Sequence, residues 1–242
     1  MNSQKHFNNN YDERAFYPPT EIKFSVYSKS IWKKFLEQVS VDDKVADFGC
    51  GGGTVLCCLE KNNFKNLYGV DFCNVIPEGF LKNTNFVESD VLKTPFENDY
   101  LDAVVSTMVI EHVDDIAFSK ELYRVLKKDG VALITSVLKG KNAWYFYKND
   151  KGERVIEPTH LREYQSEEEF EKIFQDNFEI IKIDSPRLMY PILDPFFRAL
   201  LKIFKSKRLQ DAPTRNRFLA KFRSFRIPIP GYYSVEILLR KK

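Results

Sequence analysis

Two groups of residues in this chain have types and spacings that could do chemistry. The first is Val45-Ala46-Asp47-Phe48-Gly49-Cys50-Gly51-Gly52-Gly53-Thr54, an apolar run that ends in a glycine cluster. Glycines let the backbone turn tightly and bring its amides against a ligand, so a strand, this turn and a following helix would form a nucleotide-type cradle. Two details narrow the ligand. The third glycine of a dinucleotide fingerprint would fall at position 54, which is Thr. Asp47, two residues before the first glycine, would repel a pyrophosphate and suits a cationic group instead. The second group is imidazole. His112 and His160 are candidate general bases, each with a bland alternative as a packing element or loop anchor, while His6 sits in a polar, Asn-rich tail. The four cysteines (Cys50, Cys57, Cys58, Cys73) have neither a C-x-x-C pair nor a zinc spacing. They predict buried or loop thiols in a reducing, cytoplasmic setting.

The elements that must position these groups follow from the apolar pattern. Short apolar runs alternate with amphipathic stretches between residues 44 and 137, which predicts stacked βαβ units around a parallel sheet. Strands are expected at Lys44–Phe48, Asn66–Val70, Asn85–Glu88, Leu101–Thr107 and Val131–Val137. Helices are expected from Thr54 to about Lys61 and from Ile116 to Leu126, the second closed by Lys127-Lys128-Asp129-Gly130. About a dozen residues, including Pro77 and Gly79, separate the second and third strands, enough only for a stunted helix or a loop. Ser166–Glu169 reads as a capping box for a helix to about Phe174. Strands at Phe178–Ile183 and Tyr232–Arg240 follow, and Ile22–Val39 has the spacing of a helix or helix pair beside the sheet.

Asp47-x-Gly49-x-Gly51-x-Gly53 resembles the first motif of class I S-adenosylmethionine-dependent methyltransferases, whose ligand carries an ammonium, a carboxylate and a sulfonium. Further segments fit the same family in order and register. Asp71 ends the second strand, Ser89-Asp90-Val91 follows the third, and Thr94-Pro95-Phe96 leads to Leu101-Asp102-Ala103-Val104-Val105. Val109-Ile110-Glu111-His112-Val113 and Arg124-Val125-Leu126-Lys127-Lys128-Asp129-Gly130 look like segments of its large small-molecule subgroup. The resemblance covers roughly residues 40 to 185 and the final strand. It implies a Rossmann-like α/β fold with a seven-stranded mixed sheet whose last strand is antiparallel. The implied cofactor is S-adenosylmethionine, held by Asp47, Gly49, Gly51, Gly53 and Thr107. Asp71 would take the ribose hydroxyls, Asp90 and Val91 the adenine, and Tyr11 belongs to an arm that folds over the cofactor. Thr159-His160-Leu161-Arg162-Glu163-Tyr164 resembles a segment that lies over the active site, which makes His160, with His112, the catalytic candidates. Ubiquinone-type O-methyltransferases carry an extra Glu three residues before the Glu-His pair and can bind a metal there. Met108 takes that place here, so no metal is expected.

Charge says most about the acceptor. Between Phe196 and Pro228 there are ten basic residues and a single acid, Asp211, while the whole chain carries +3. A basic C-terminal third on an acidic body predicts an anionic partner. Arg215 and Arg217 are its candidate ligands, and Trp144 and Tyr147 in the aromatic run after the fifth strand could line an acceptor pocket or plug a loop. Asp194-Pro195 opens an expected helix with Arg198, Lys202 and Lys205 on one side: a lid over an anionic substrate, a helix at a membrane surface, or a packed helix with a solvated basic face. The chain then divides into an arm (1–40), a cofactor core (41–185), a basic lid insertion (186–230) and a final strand (231–242) of one domain. The N-terminal ten residues are polar and predict no secretory signal. The expected function is O-methylation of a small anionic metabolite, for instance a phosphorylated or nucleotide-linked precursor in polysaccharide biosynthesis. Methylation of a quinone or lipid intermediate at a membrane surface and a non-catalytic cofactor-binding module remain open. Nucleic acid is disfavoured, because Ser106-Thr107-Met108-Val109 lacks the Asn/Asp-Pro-Pro-aromatic motif of base-amine methylators.

Overall fold

The computed structural model describes residues 29–76, 78–143, 145, 147–190 and 227–242. Tyr11, Trp144, Arg215, Arg217, the basic helix expected after Asp194 and most of the insertion lie outside these residues. The sheet is built from β1 (Lys44–Phe48), β2 (Asn66–Asp71), β3 (Thr84–Glu88), β4 (Leu101–Thr107), β5 (Leu126–Lys139), β8 (Phe178–Asp184), β9 (Arg187–Tyr190) and β10 (Ile227–Lys241). Its order is β3-β2-β1-β4-β5-β10-β8, and β9 also pairs with β10. Neighbours from β3 to β5 are parallel. β10 is antiparallel to β5, β8 and β9. The seven strands expected are present, and β9 adds a short eighth along the N-terminal half of β10. A separate hairpin, β6 (Tyr147–Lys148) with β7 (Arg154–Val155), stands outside this sheet.

The central strands are apolar at nearly every position because both faces of the sheet are covered. Side chains alternate between two cores, as a period of two requires. Ala46, Phe48, Val104, Ala132 and Ile134 pack on one face with Phe118, Leu122 and Val125 of α3 (Asp115–Val125) and with Phe170 of α4 (Glu167–Glu171). Val45, Ala103, Val105, Val131 and Leu133 pack on the other with α1 (Lys29–Leu36) and α2 (Thr54–Lys61). In α1 the residues Ile31, Trp32 and Phe35 form the buried stripe. In α2 the stripe includes Cys57 and Cys58, whose thiols burial pushes upward, Cys58 to about 11, so they behave as small apolar side chains. No helix among the described residues is long and apolar enough to cross a membrane.

Local signals set the helix starts. Asp114 caps α3 by accepting from the Ala117 amide at 2.8 Å. Ser166 caps α4 by accepting from the Glu169 amide at 3.2 Å, and the Glu169 carboxylate reaches back to the Gln165 amide at 2.6 Å, one residue ahead of the cap. α4 is shorter than its sequence suggests, continuing as turns through Phe174. Between β2 and β3 the described residues are turns without a helix, as the short connection predicts. One reading changes. Lys127-Lys128-Asp129-Gly130 does not close α3, which already ends at Val125. Leu101 pairs with Leu126 and Ala103 with Val131, so these residues bulge out of β5, with Asp129 at φ 64°. Glycine is required at 130 by close backbone approach, since a Cβ there would lie 2.9 Å from the Lys127 carbonyl and 3.0 Å from that of Asp102. Gly130→Ala should therefore lower unfolding free energy by about 1–3 kcal/mol, read as a reduced urea midpoint at constant m-value. An unchanged midpoint would show that the bulge relaxes without cost.

Candidate active site

At the end of β1 the chain turns through Gly49, Gly51 and Gly53, all in the left-handed region with φ of 75°, 46° and 77°. The amides of Gly49 and Cys50 both donate to the Val70 carbonyl, at 2.8 and 3.0 Å, which presses the turn against the end of β2. A side chain at 49 is excluded twice over, by its φ and by Val109, whose Cγ2 would sit 2.3 Å from the new Cβ. Asp71 ties the turn together: Oδ2 accepts from the Gly51 amide and Oδ1 from the Phe72 amide, each at 2.8 Å. A carboxylate has about four acceptor sites, so one that has taken two amides can still receive a ligand diol. Burial raises the Asp71 pKa, and the nearby Gly51, Phe72 and Cys73 amides oppose that rise.

A cavity of about 380 Å³ opens at this end of the sheet. Gly49, Asp71, Asp90, Val91 and Thr107 of the expected cofactor set line it. Asp90 is held by the Leu92 amide at 2.8 Å, and Val91 is buried. Asp47, Gly51 and Gly53 are not among the residues that line it. Asp47 is 1% exposed, and its Oδ1 finds no hydrogen-bond partner among the described residues. Burial, and secondarily the charge of Asp71, pushes the Asp47 carboxyl up to about 8. A cationic group would satisfy both carboxylates, which is the ligand type that an acid at this position favours. Buried polar atoms without partners and a cradle that only glycine can form are what an ammonium-bearing cofactor needs.

The same cavity is lined by His112, Thr159, His160 and Leu161. Glu111 and His112 lie on a 3₁₀ turn, Ile110–His112, directly after β4. His160 arrives from the loop before α4, and the Leu161 amide donates to the Glu111 carbonyl at 2.8 Å, locking the two segments together. The imidazoles meet edge to face, 4.8 Å between ring centres and 71° between planes. His112 Nδ1 is 3.2 Å from the Thr159 carbonyl, and His160 Nδ1 is 2.9 Å from Glu163 Oε1. Burial holds the His112 pKa low. For His160 burial acts in the same direction, but the Glu163 hydrogen bond and nearby carboxylates more than offset it, and the pKa rises.

Glu163 is a site residue that the sequence reading passed over, although its place three residues after His160 could have suggested it. Its carboxylate also accepts from the Ile156 amide at 2.6 Å and the Tyr232 hydroxyl at 3.1 Å, with Lys139 Nζ 3.6 Å away. Tyr147 does not join the site: it is exposed on β6 and absent from the cavity wall. The tip of its hairpin, Asn149, Asp150 and Lys151, reaches the cavity instead.

Residues 46–134 match the methyltransferase domain family. The chain is 28% identical over 155 residues to the probable tRNA methyltransferase 9B of Homo sapiens, covering 61% of this chain and 32% of that protein. It is 31% identical over 110 residues to the ubiquinone biosynthesis O-methyltransferase of Rickettsia typhi, covering 43% of this chain and 44% of that one. The chain thus spans less than half the length of these two relatives. The geranyl diphosphate C-methyltransferase of Streptomyces coelicolor, solved with Mg²⁺, geranyl diphosphate and S-adenosylhomocysteine, superposes with a TM-score of 0.61 at 14% identity, covering 100% of this chain and 99% of that one. The [4+2]-cyclase SpnF superposes with a TM-score of 0.58 at 17% identity, over 93% of this chain and 86% of that one. These likenesses establish the fold, and the cyclase indicates that the fold alone does not name a reaction.

The environment of Asp47 leads to a pH prediction. At pH 6.5 a carboxyl with a pKa of about 8 is mostly protonated, and a bound ammonium would ionise it. Binding of S-adenosylhomocysteine should release close to one proton at pH 6.5 and almost none at pH 9, measured by calorimetry in buffers of different ionisation enthalpy. Affinity should strengthen by up to about tenfold per pH unit between pH 6 and 8. Proton-neutral binding at pH 6.5 would mean that Asp47 does not meet the cation.

Proposed function

We propose, for a chain whose residues 46–134 form a class I S-adenosylmethionine-dependent methyltransferase domain, that it methylates an oxygen of a small anionic acceptor. The observation that carries this reading is one cavity lined both by the cofactor cradle, Gly49, Asp71, Asp90 and Val91, and by His112 and His160. Bound cofactor supplies a methyl carbon already activated by its sulfonium. The protein then has to align the acceptor oxygen with it and exclude water, and alignment alone contributes several kcal/mol. Asp71, Asp90 and the Gly49 turn would hold the cofactor, with Asp47 facing its ammonium. His112 and His160 would act on the acceptor oxygen, and Glu163 would orient His160. The ubiquinone biosynthesis O-methyltransferase among the relatives supports oxygen as the acceptor atom.

The anionic character of the acceptor rests on the ten basic residues between Phe196 and Pro228. A phosphorylated or nucleotide-linked metabolite fits such a segment, since Arg forks and Lys charges recognise phosphate oxygens. A polyanionic RNA acceptor is the second reading, favoured by the same charge and by a relative described as a probable tRNA methyltransferase. The two separate in one assay, in which labelled methyl from the cofactor is followed into nucleotide-linked metabolites and into bulk tRNA.

His160→Ala should lower kcat by about 10²- to 10⁴-fold while leaving affinity for S-adenosylhomocysteine unchanged. Wild-type turnover in that variant would remove the imidazole from the chemistry. The Arg215→Ala/Arg217→Ala double variant should raise the acceptor KM about tenfold or more with kcat and cofactor affinity nearly unchanged, because it removes uniform binding. That effect should shrink as salt screens the charges. An unaltered KM at low salt would withdraw the anionic acceptor.

A further inference from the structure

How the two imidazoles act on the acceptor depends on a third side chain beside them. Among the described residues, one potential ligand atom from each of Glu111, His112 and His160 lies within 4.8 Å of the others. Local sequence offers only the Glu-His pair; His160 is delivered to it by the loop before α4. Glu111 is fully buried. Its Oε2 accepts from Ser136 Oγ at 3.0 Å, but Oε1 has no hydrogen-bond partner among the described residues. A buried carboxylate oxygen left without a partner is costly enough that something is expected to meet it.

The imidazoles are held as metal-bound histidines are held. A backbone carbonyl can only accept, so the contact of His112 Nδ1 with Thr159 O puts the ring proton on Nδ1 and makes Nε2 the ligand atom. His160 makes the equivalent contact through Nδ1 to Glu163 Oε1, and Glu163 is itself fixed by Tyr232 and the Ile156 amide. Outer carboxylates and carbonyls of this kind orient imidazole ligands and raise their basicity. We propose that Glu111, His112 and His160 bind one divalent transition-metal ion, with a coordination position open toward the acceptor end of the cavity.

Two nitrogens and one carboxylate favour Zn²⁺, Co²⁺, Fe²⁺ or Mn²⁺ over Mg²⁺, which prefers an all-oxygen shell. The extra Glu that Met108 replaces is not required, because His160 supplies the third ligand. The inference rests on the methyl-transfer reading of this cavity and adds the means of activation. A Lewis acid beside the acceptor hydroxyl lets its O–H proton pass to solvent near neutral pH. The oxygen then forms the O–CH₃ bond as the S–CH₃ bond of the cofactor breaks, leaving its electron pair on sulfur.

The test is cobalt titration of chelator-stripped, full-length protein, followed by visible absorption and calorimetry. Wild type should bind one Co²⁺ per chain without a thiolate-to-cobalt charge-transfer band, since Cys57 and Cys58 lie in α2 and not in this cluster. Glu111→Gln and His160→Ala should weaken binding at least 100-fold, and Glu163→Gln by about 10- to 100-fold, as for other outer partners. Thermal unfolding of each stripped variant separates lost binding from lost folding, and Glu163→Gln serves if Glu111→Gln does not fold. Absence of cobalt binding by wild type, or wild-type affinity in Glu111→Gln and Glu163→Gln, overturns the site. Loss of turnover in His160→Ala without cobalt binding by wild type would refute the ion and leave methyl transfer standing. Cobalt binding with no transfer to any acceptor would do the reverse.

Discussion

The rest of the site depends on the hydrogen bond from the Gly51 amide to the Asp71 carboxylate, 2.8 Å long. It joins the turn after β1 to the end of β2, two strands that run parallel and therefore end on the same edge of the sheet. The turn can come that close only because Gly49, Gly51 and Gly53 take left-handed backbone angles. Once it does, Val109 from the segment after β4 packs into the space that a side chain at 49 would fill. Three strand ends are thereby gathered around one cavity, and the backbone, not a set of flexible side chains, sets its floor.

That arrangement has an electrostatic cost. Asp47 and Asp71 are both buried; burial raises the pKa of each, and the charge of Asp71 adds to the rise at Asp47. Asp71 is partly compensated by the amides it accepts from, whereas one Asp47 oxygen has no partner among the described residues. The strain is relieved by a cation, and a cofactor with an ammonium brings one. A cation meeting Asp47 would couple binding affinity to protonation, because it would favour the ionised carboxylate. A neutral Asn at 47 would avoid the cost but would give up the charge that distinguishes this cradle from a phosphate loop.

Around the imidazoles, order is imposed by long-range contacts. The loop carrying His160 is tied to the 3₁₀ turn through Leu161, to β10 through Glu163 and Tyr232, and to the β6–β7 hairpin through Asn149, whose Nδ2 donates to the His160 carbonyl at 3.3 Å. An imidazole buried on several sides has few rotamers left, which is what a group acting on a reacting oxygen requires. The fully buried carboxylate of Glu111, with one oxygen lacking a partner among the described residues, is hard to explain as packing alone. An apolar side chain would fill the same space without leaving an oxygen unsatisfied.

Sequence alone determined the parts of this protein that depend on neighbours along the chain. The apolar runs located β1 and β4 to the residue, the glycine spacing marked the turn, and Asp47 suggested a cationic ligand group. Asp71, at the end of β2, and Asp90 and Val91, after β3, were marked for the site by the family resemblance. The family resemblance implied a seven-stranded mixed sheet with an antiparallel last strand, which periodicity cannot imply. Only the tertiary structure decided the rest. Gly130 looked like a helix terminus because Gly after two lysines usually is one, but its need arises from the Asp102 carbonyl on a neighbouring strand. The aromatic run near Tyr147 had no sequence mark telling which side faces the cavity; the hairpin register turns Tyr147 outward and brings Asn149–Lys151 in. Met108 in place of a Glu argued against a metal when only residues nearby in sequence were counted, yet folding adds His160 to Glu111 and His112. Convergence of side chains from separate segments, and the burial that shifts their proton affinities, are set by contacts between residues far apart in the chain, and no local pattern records them.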